Sequence, residues 1–139
     1  MKYLLDTCVL SELIKKAPEK KVVSWISDLN EDDLYLSVLT IGEIYKGVEK
    51  LQSGAKKTEL HNWVSNELRE RFKGRILDFD LPTASIWGKL QGESESVGRP
   101  MSAIDGQIAA TGVSNNLTIA TRNISDMEVS GVSLYNPWE

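Results

Sequence analysis

Short apolar segments typical of β-strands alternate with longer amphipathic segments typical of helices, and this alternation constrains the fold more than any other feature of the sequence. The predicted strands lie at Tyr3–Leu5, Leu34–Ser37, Arg75–Asp78, Leu117–Thr121 and Val132–Tyr135. Between them, apolar residues recur three or four positions apart, as on the buried face of a helix. One of these helices starts at Asp80 and is expected to fray or loop in the Gly-, Ser- and Glu-rich segment Gly92–Gly98. Strands separated by helices favour a mainly parallel sheet covered on both faces, so the predicted fold class is α/β.

Length, charge and cysteine content limit the classes of protein to which the chain can belong. Its 139 residues suit a single domain spanning 1–139, and a net charge of -4 argues against indiscriminate binding of nucleic acid. Basic residues concentrate between Lys46 and Arg75, either as a phosphate-tracking face or as the solvated side of helices. Cys8 has no partner for an intramolecular disulfide, and Asp6 interrupts the first apolar stretch. We therefore expect a soluble cytoplasmic protein without a membrane span.

Four acidic residues occupy comparable positions in this pattern. Asp6 directly follows the first strand, and Glu43 lies in the helix after the second. Asp105 opens a helix, and Asp126 comes a few residues after the strand at Leu117–Thr121. Because the carboxyl ends of parallel strands meet at one edge of a sheet, these four side chains are expected to converge there.

A cluster of carboxylates repels itself unless a cation relieves the repulsion. Oxygen ligands without accompanying histidine or cysteine suit Mg²⁺ or Mn²⁺ better than Zn²⁺. At a phosphodiester, such an ion makes a bound water more acidic and stabilises charge on the phosphorus centre and the leaving oxygen. Metal-assisted phosphodiester hydrolysis is the reaction that matches this set of residues.

Each acid also has a purely structural explanation. Asp6 is suited to cap the first helix, and the segments Thr40–Glu43 and Ser102–Asp105 have the spacing of capping boxes. Asp126 lies in a segment where aspartate commonly stabilises a turn. Capping is the simpler explanation of Glu43 or Asp105 taken alone. The joint placement of four acids at one sheet edge is what capping does not predict.

Four segments of the sequence resemble PIN-domain ribonucleases, and together they extend over essentially the whole chain. They are Leu4–Glu12, Ile41–Gly47, Pro100–Ala110 and Thr121–Asp126. More narrowly, the chain is similar to VapC-type toxins of bacterial or archaeal toxin-antitoxin pairs, in the FitB-like branch. Members of this branch often close with Asn-Pro-Trp, as in Asn136–Trp138.

The resemblance implies a three-layer α/β/α sandwich, an Mg²⁺- or Mn²⁺-dependent endoribonuclease and a homodimer. It also implies inhibition by a cognate antitoxin whose tail enters the site, with DNA reached only through that antitoxin. Position by position, Asp6, Glu43 and Asp105 match the acidic triad of the family, and Asp126 matches its fourth acidic position.

Further polar residues flank the acids. Thr7 and Thr121 fall where the family has hydroxyls near the metal, and Asn123 lies in its polar turn. Arg99 and Arg122 flank the acidic motifs and are the candidates for contact with substrate. We expect these five side chains to support the site rather than to bind the metal.

The sequence departs from the family at Cys8, where asparagine is common, and at Met127, where an aromatic residue often follows the fourth acid. Neither departure removes a proposed ligand. Cys8 is interpreted as a small packing residue rather than a nucleophile, because no histidine is close to it in the sequence.

Three other functions also require consideration. A phosphoryl-accepting signalling domain needs an aspartate at the end of its third strand and a lysine after a late strand, and neither is evident. A haloacid-dehalogenase-like phosphatase needs two aspartates separated by one residue after the first strand, and Cys8 occupies the second position. A catalytically silent nuclease scaffold retained for binding stays open, although the intact acidic set counts against it.

Overall fold

The computed structural model describes all residues from Met1 to Glu139. Its strands are β1 (Tyr3–Leu5), β2 (Leu34–Ser37), β3 (Ile76–Leu77), β4 (Thr118–Ala120) and β5 (Leu134–Tyr135). Its helices are α1 (Thr7–Leu13), α2 (Lys20–Ser27), α3 (Val38–Glu49), α4 (Ala55–Asn62), α5 (Arg69–Arg71), α6 (Leu81–Ser96), α7 (Ala103–Ser114) and α8 (Ile124–Met127). A π-helical segment, Trp63–Leu68, joins α4 to α5, and short 3₁₀ turns lie at Glu31–Asp33 and Glu128–Ser130. No helix has the length and apolar character needed to cross a membrane.

All five strands are parallel and have the order β3-β2-β1-β4-β5. The chain builds outward from β1 to one edge through β2 and β3, and then returns to the other side of β1 to form β4 and β5. Leu5 at the end of β1 lies beside Ala120 at the end of β4. The strand order therefore reverses between these two strands, and the crevice at such a point is where open α/β sheets bind ligands.

Side chains of β1 alternate between the two faces of the sheet, and both faces are covered. Tyr3 and Leu5 belong to one hydrophobic cluster, which includes the buried residues Val9 of α1 and Val22 of α2. Leu4 belongs to a second cluster on the opposite face, formed with Ile108, Ala109, Leu117, Ile119, Met127 and Val132. The predicted α/β fold with a three-layer arrangement is confirmed.

The expected fraying of the helix at Gly92 is wrong, because α6 continues to Ser96. The side chain of Gln91 donates a hydrogen bond to the carbonyl oxygen of Met101 at 2.8 Å, which anchors this end of the helix to the following loop. Ser94 is buried, and its hydroxyl donates to the carbonyl oxygen of Gln91 at 2.9 Å. Tertiary contacts thus override the weak helix propensity of the segment.

Candidate functional site

Asp6 lies at the carboxyl end of β1, is 5% exposed, and has a hydrogen-bond donor for each carboxylate oxygen. Oδ1 accepts the backbone N–H of Thr7 at 2.9 Å, so Asp6 is the N-cap of α1. Oδ2 accepts the hydroxyl of Thr121, the residue after β4, at 2.7 Å. The Thr121 oxygen in turn accepts the backbone N–H of Asn123 at 3.0 Å. Asp6 is therefore both a cap and a fixed carboxylate at the sheet edge.

Glu43 is not part of a capping box. The N-cap of α3 is Ser37, whose side-chain oxygen accepts the backbone N–H of Leu39 at 3.0 Å, whereas Thr40 is buried inside the helix. The Glu43 carboxylate instead accepts the hydroxyl of Thr7 at 2.7 Å. Helix capping therefore does not explain the presence of Glu43. Its side chain instead lies beside the start of α1.

The charges of neighbouring predicted acids act on Glu43 and on Asp105. Burial raises the pKa of Glu43, and the charges of Asp6 and Asp105 raise it further, against the opposing effects of the hydrogen bond from Thr7 and of the Lys46 charge. Burial likewise raises the pKa of Asp105, where the charges of Asp6 and Asp126 add to the effect and a hydrogen bond with Ser102 opposes it. Asp6 thus lies near both Glu43 and Asp105, and Asp126 lies near Asp105 in the wall of the same cavity, at the edge of the sheet where the sequence predicts the four acids to converge.

Two concave surfaces border this cluster. A polar cavity of about 460 Å³ has Asp105 and Asp126 in its wall, together with Arg99, Pro100, Met101, Ser102, Ser125 and Val129. A more apolar groove of about 320 Å³ has Thr7 and Glu43 in its wall, together with Ser11, Ile14, Ile44, Gly47, Val48, Leu51, Leu60 and Trp63. The acids therefore adjoin an open polar surface and an apolar one, which leaves space for a ligand larger than an ion.

The chemistry of the cluster fits a hard divalent cation, although its side chains do not form a closed ligand shell. No three His, Cys, Asp or Glu side chains of the chain lie close enough together to hold a metal ion. None of the four acids forms a salt bridge with lysine or arginine, although the positive charge of Lys46 acts on Glu43 from a greater distance. Mg²⁺ commonly keeps several waters and binds one or two carboxylates plus substrate phosphate, which suits an open set of oxygens.

The two arginines predicted to contact substrate have different surroundings. Arg99 is exposed, forms a 3.4 Å ion pair with Glu128 and lines the polar cavity. The guanidinium of Arg122 lies 3.7 Å from Glu12 and stacks over the ring of Trp138, with 4.2 Å between its central carbon and the ring centroid. Arg99 thus lies beside the acids, whereas the side chain of Arg122 reaches the C-terminus.

Some residues of the site region carry no distinctive sequence signal. Ser102 and Ser125 line the cavity but look like ordinary cap and turn residues in the sequence. Glu12 is buried on α1, although its position gives no sign of this. Cys8 is partly buried, with its sulfur 3.8 Å from Asp6 Oδ2, and burial raises the pKa of its thiol. A thiol kept protonated is a poor nucleophile, which agrees with the packing interpretation.

Comparisons with known proteins agree in family and in fold. The family model of the PIN domain matches residues 3–125. The chain is 39% identical to Toxin FitB of Neisseria gonorrhoeae, over 97% of each chain. It is 35% identical to VapC ribonuclease Y4jK of Sinorhizobium fredii, over 98% of this chain and 97% of that one. The solved structure of FitAB bound to an IR36 DNA fragment contains a chain with a TM-score of 0.93 and 38% identity, covering 99% of this chain and 96% of that one.

Proposed function

Because the chain belongs to the PIN-domain family, we propose that it is a metal-dependent endoribonuclease and the toxin of a type II toxin-antitoxin pair. It cleaves RNA phosphodiester bonds and thereby inhibits translation or growth. The observation that carries this proposal is the cluster of four acids, none of them in a salt bridge, at the point where the strand order reverses. The full-length similarity to a VapC ribonuclease supports RNA as the substrate.

Asp6, Glu43, Asp105 and Asp126 are the residues that would hold Mg²⁺ or Mn²⁺. When bound, the ion supplies positive charge at the scissile phosphate and makes a water more acidic. Asp6 is the best-oriented of the four, because both of its oxygens already accept hydrogen bonds, from the Thr7 N–H at Oδ1 and from the Thr121 hydroxyl and the Cys8 thiol at Oδ2. Asp126 is exposed and lies on the open side of the cluster, where a water or a substrate group can reach it.

Threonine hydroxyls orient two of the acids. The hydroxyl of Thr121 fixes Asp6, and that of Thr7 fixes Glu43, while Asn123 supports Thr121 through its backbone N–H. Arg99, at the edge of the polar cavity, is positioned to contact an RNA phosphate after leaving Glu128. The acids would therefore hold the ion, and the neighbouring side chains would orient either the acids or the RNA.

The partners of the protein follow from its relatives. A cognate antitoxin binds and inhibits the toxin, and DNA is reached only through that antitoxin, consistent with a FitAB relative solved on a DNA fragment. The active form is proposed to be a homodimer. Its site of action is proposed to be the cytoplasm, where RNA is accessible.

One of the competing functions needs a correction. Asp78 directly follows β3, the third strand of the chain, so the aspartate that a phosphoryl-accepting domain requires is present after all. However, β3 is the edge strand, and β2 separates it from the β1 strand that ends at Asp6. In the flavodoxin-like order 2-1-3-4-5 the third strand is instead central and adjacent to the first. Asp78 is therefore not placed to act together with Asp6.

The proposal is tested by measuring RNA cleavage and Mn²⁺ binding in matched aspartate variants. Asp6→Asn and Asp105→Asn are expected to abolish cleavage and to weaken Mn²⁺ binding measured by calorimetry, while far-UV circular dichroism stays unchanged. Asp32→Asn is the control, because Asp32 is an exposed acid outside the cluster. A chelator is expected to stop cleavage by the unaltered protein and by the control.

The outcomes separate the remaining alternatives. Cleavage that persists in both site variants and in the presence of chelator would exclude a metal-dependent nuclease. Tight binding of RNA or antitoxin with no cleavage by the unaltered protein in Mg²⁺ or Mn²⁺ would indicate the catalytically silent binding module. Label uptake from a small phosphodonor would instead favour the phosphoryl-accepting domain.

A further inference from the structure

A buried carboxylate outside the acidic cluster connects the first helix to the C-terminus. Glu12 of α1 is 4% exposed, and its Oε2 accepts the backbone N–H of Glu19 at 3.1 Å. Its Oε1 accepts hydrogen bonds from Lys15 Nζ at 3.1 Å and from the indole N–H of Trp138 at 3.3 Å. A buried charge needs such donors, because leaving it unpaired is strongly destabilising. Glu12 therefore ties the end of the chain to the helix that begins after Asp6.

Arg122 joins the same contact from the end of β4. Its guanidinium lies 3.7 Å from Glu12 and 4.2 Å from the centroid of the Trp138 ring, which is a cation–π arrangement. The turn before Trp138 is fixed, because the side chain of Asn136 accepts the backbone N–H of Trp138 at 2.9 Å. We name Glu12, Arg122 and Trp138 the C-terminal clamp.

The clamp adjoins the acidic cluster at two points. Arg122 directly follows Thr121, whose hydroxyl donates to Asp6 at 2.7 Å. Glu12 lies on α1, whose N-cap is Asp6 itself. The clamp therefore contacts both segments that supply donors to Asp6: Arg122 is the residue after Thr121, and Glu12 lies in the last turn of α1, whose first residue donates the Thr7 N–H.

We propose that the C-terminal clamp keeps Asp6 in the orientation that binds the divalent cation, with Trp138 and Arg122 as positioning residues. This inference rests on the proposed function, because it assumes that Asp6 is a metal ligand. It assigns Arg122 a different role from contact with RNA, since the guanidinium already contacts Glu12 and Trp138. The two roles can be distinguished by measurement. Loss of a positioning residue changes the affinity for Mn²⁺, whereas loss of a substrate contact changes the KM for RNA.

The test measures Mn²⁺ binding to the full chain by calorimetry without RNA. Trp138→Ala and Arg122→Gln are each expected to weaken Mn²⁺ binding by about tenfold, the lower end of the effect of losing a group that supports a metal ligand. The double variant is expected to bind Mn²⁺ about as well as the weaker-binding single variant. Both substitutions break the same contact, so their effects should not add. Trp138→Phe keeps a ring for Arg122 to stack on but loses the indole N–H donated to Glu12, so it is expected to weaken Mn²⁺ binding less than Trp138→Ala does.

Whether Arg122→Gln weakens or tightens Mn²⁺ binding separates a positioning role from a simple electrostatic one. Removing a positive charge near a cation site should by charge alone tighten Mn²⁺ binding. Weaker binding can therefore be attributed to lost positioning. The side chain of Arg122 is 52% exposed, so this variant keeps the test available even where Trp138→Ala does not fold.

Trp25→Ala is the matched control. Trp25 is also partly buried against the first hydrophobic cluster, but it stacks on Tyr135 and not on Arg122. It is expected to lower the stability of the protein while leaving Mn²⁺ affinity unchanged.

Three results would overturn the clamp: unchanged or tighter Mn²⁺ binding by Arg122→Gln, equal weakening in the Trp25 control, or a raised KM for RNA with unchanged Mn²⁺ binding. If the unaltered chain bound no Mn²⁺ and cleaved no RNA, the proposed function would fail and the clamp with it. That result is distinct from the other three, because it appears before any variant is compared.

Discussion

The Asp6 carboxylate combines helix capping with membership of the acidic cluster because its two oxygens have different partners. Oδ1 accepts the Thr7 N–H, and Oδ2 accepts the Thr121 hydroxyl. The Cys8 thiol is a third, longer donor to Oδ2 at 3.8 Å. An ionised carboxylate has about four lone-pair sites, so a free site remains on Oδ1 for a cation. At α7, Ser102 provides the cap with its own hydroxyl, which accepts the backbone N–H of Asp105 at 3.1 Å. Capping and metal binding are therefore compatible at both acids.

Thr121→Val should weaken metal binding while preserving the shape of the side chain. Thr121 is fully buried, and its oxygen connects Asp6 to the backbone of Asn123. Loss of a group that orients a ligating carboxylate typically reduces metal affinity or activity by about 10–100-fold. The unpaired neighbours should also destabilise the fold by about 1–3 kcal/mol. Calorimetry with Mn²⁺ and urea denaturation measure the two effects separately.

Thr118→Val is the control for this prediction, because Thr118 lies on β4, three residues before Thr121, and its hydroxyl pairs with that of Ser133 at 3.0 Å. It should lower stability by a similar amount without changing Mn²⁺ affinity. Equal Mn²⁺ affinities for Thr121→Val and the unaltered protein would show that the Thr121 hydroxyl does not orient a ligand.

Glu43→Gln should stabilise the metal-free protein at neutral pH. Burial and the charges of Asp6 and Asp105 raise the pKa of Glu43 in the folded state, so folding disfavours its ionised form. For a carboxyl group with a raised pKa, stability falls as pH rises from the unfolded pKa of about 4.3 through the folded pKa. The advantage of Glu43→Gln is therefore expected to be largest at pH 7 and to disappear below about pH 4. Urea denaturation in chelator at both pH values measures it.

Glu31→Gln provides a comparison in which the pKa shift, and therefore the expected change in stability, has the opposite sign. Hydrogen bonds from Arg71, at 2.6 and 3.1 Å, lower the pKa of Glu31. A lowered pKa contributes stability that is present above the unfolded pKa and is lost as pH falls through the folded pKa. This variant should therefore be less stable than the unaltered protein at pH 7 and equal to it in strong acid. Effects of the same sign in the two variants would contradict the assigned causes of both pKa shifts.

At the scale of elements, Arg75 connects the segment before β2 to the segment before β3. Its guanidinium donates to the carbonyl oxygens of Glu31 and Leu34 at 2.6 Å each and to that of Arg71 at 2.5 Å, and its side chain is 14% exposed. It also stacks on Phe72 at 5.0 Å. In the sequence, Arg75 is one of many basic residues in a charged stretch. The structure shows that it is an internal crosslink rather than part of a phosphate-tracking face.

Arg75→Met should lower the free energy of unfolding by about 3 kcal/mol, because it removes charge-assisted hydrogen bonds and leaves carbonyl groups unpaired. Lys73→Met is the control, since Lys73 is exposed two residues away, and it should change stability by less than about 0.5 kcal/mol. Urea denaturation measures both. Equal effects of the two substitutions would mean that the Arg75 hydrogen bonds contribute nothing net.

The elements and the four acids follow from local sequence patterns, whereas their arrangement does not. Strand and helix periodicity predicts β1, β2 and β4 closely, because each packs an apolar segment into the core. Periodicity carries no information on which strands are neighbours, so the adjacency of β1 and β4 and the edge position of β3 had to come from the structure. The same holds for Glu12 and Trp138, which lie 126 positions apart in the sequence. Contacts between distant segments decide both the strand order and the clamp.

At the scale of the whole molecule, we expect the acidic cluster at the point where the strand order reverses to make stability depend on divalent cations. A ligand that binds only the folded state stabilises it by mass action, by about 2.7 kcal/mol at 100 times its Kd. For a chain of this length, that corresponds to a rise of about 8 °C in the melting temperature. Mn²⁺ at saturating concentration is expected to produce this shift in the unaltered protein.

The comparison that isolates specific binding uses NaCl at matched ionic strength, because salt alone also screens repulsion between Glu43, Asp6 and Asp105. NaCl should raise the melting temperature by far less than Mn²⁺ does, and Asp6→Asn should remove most of the difference between the two salts. If NaCl and Mn²⁺ stabilised the unaltered protein equally, screening would explain the whole effect, and the acids would form a repulsive cluster without a bound ion. If the melting temperature of Asp6→Asn were still much higher in Mn²⁺ than in NaCl, the cation would bind elsewhere on the protein.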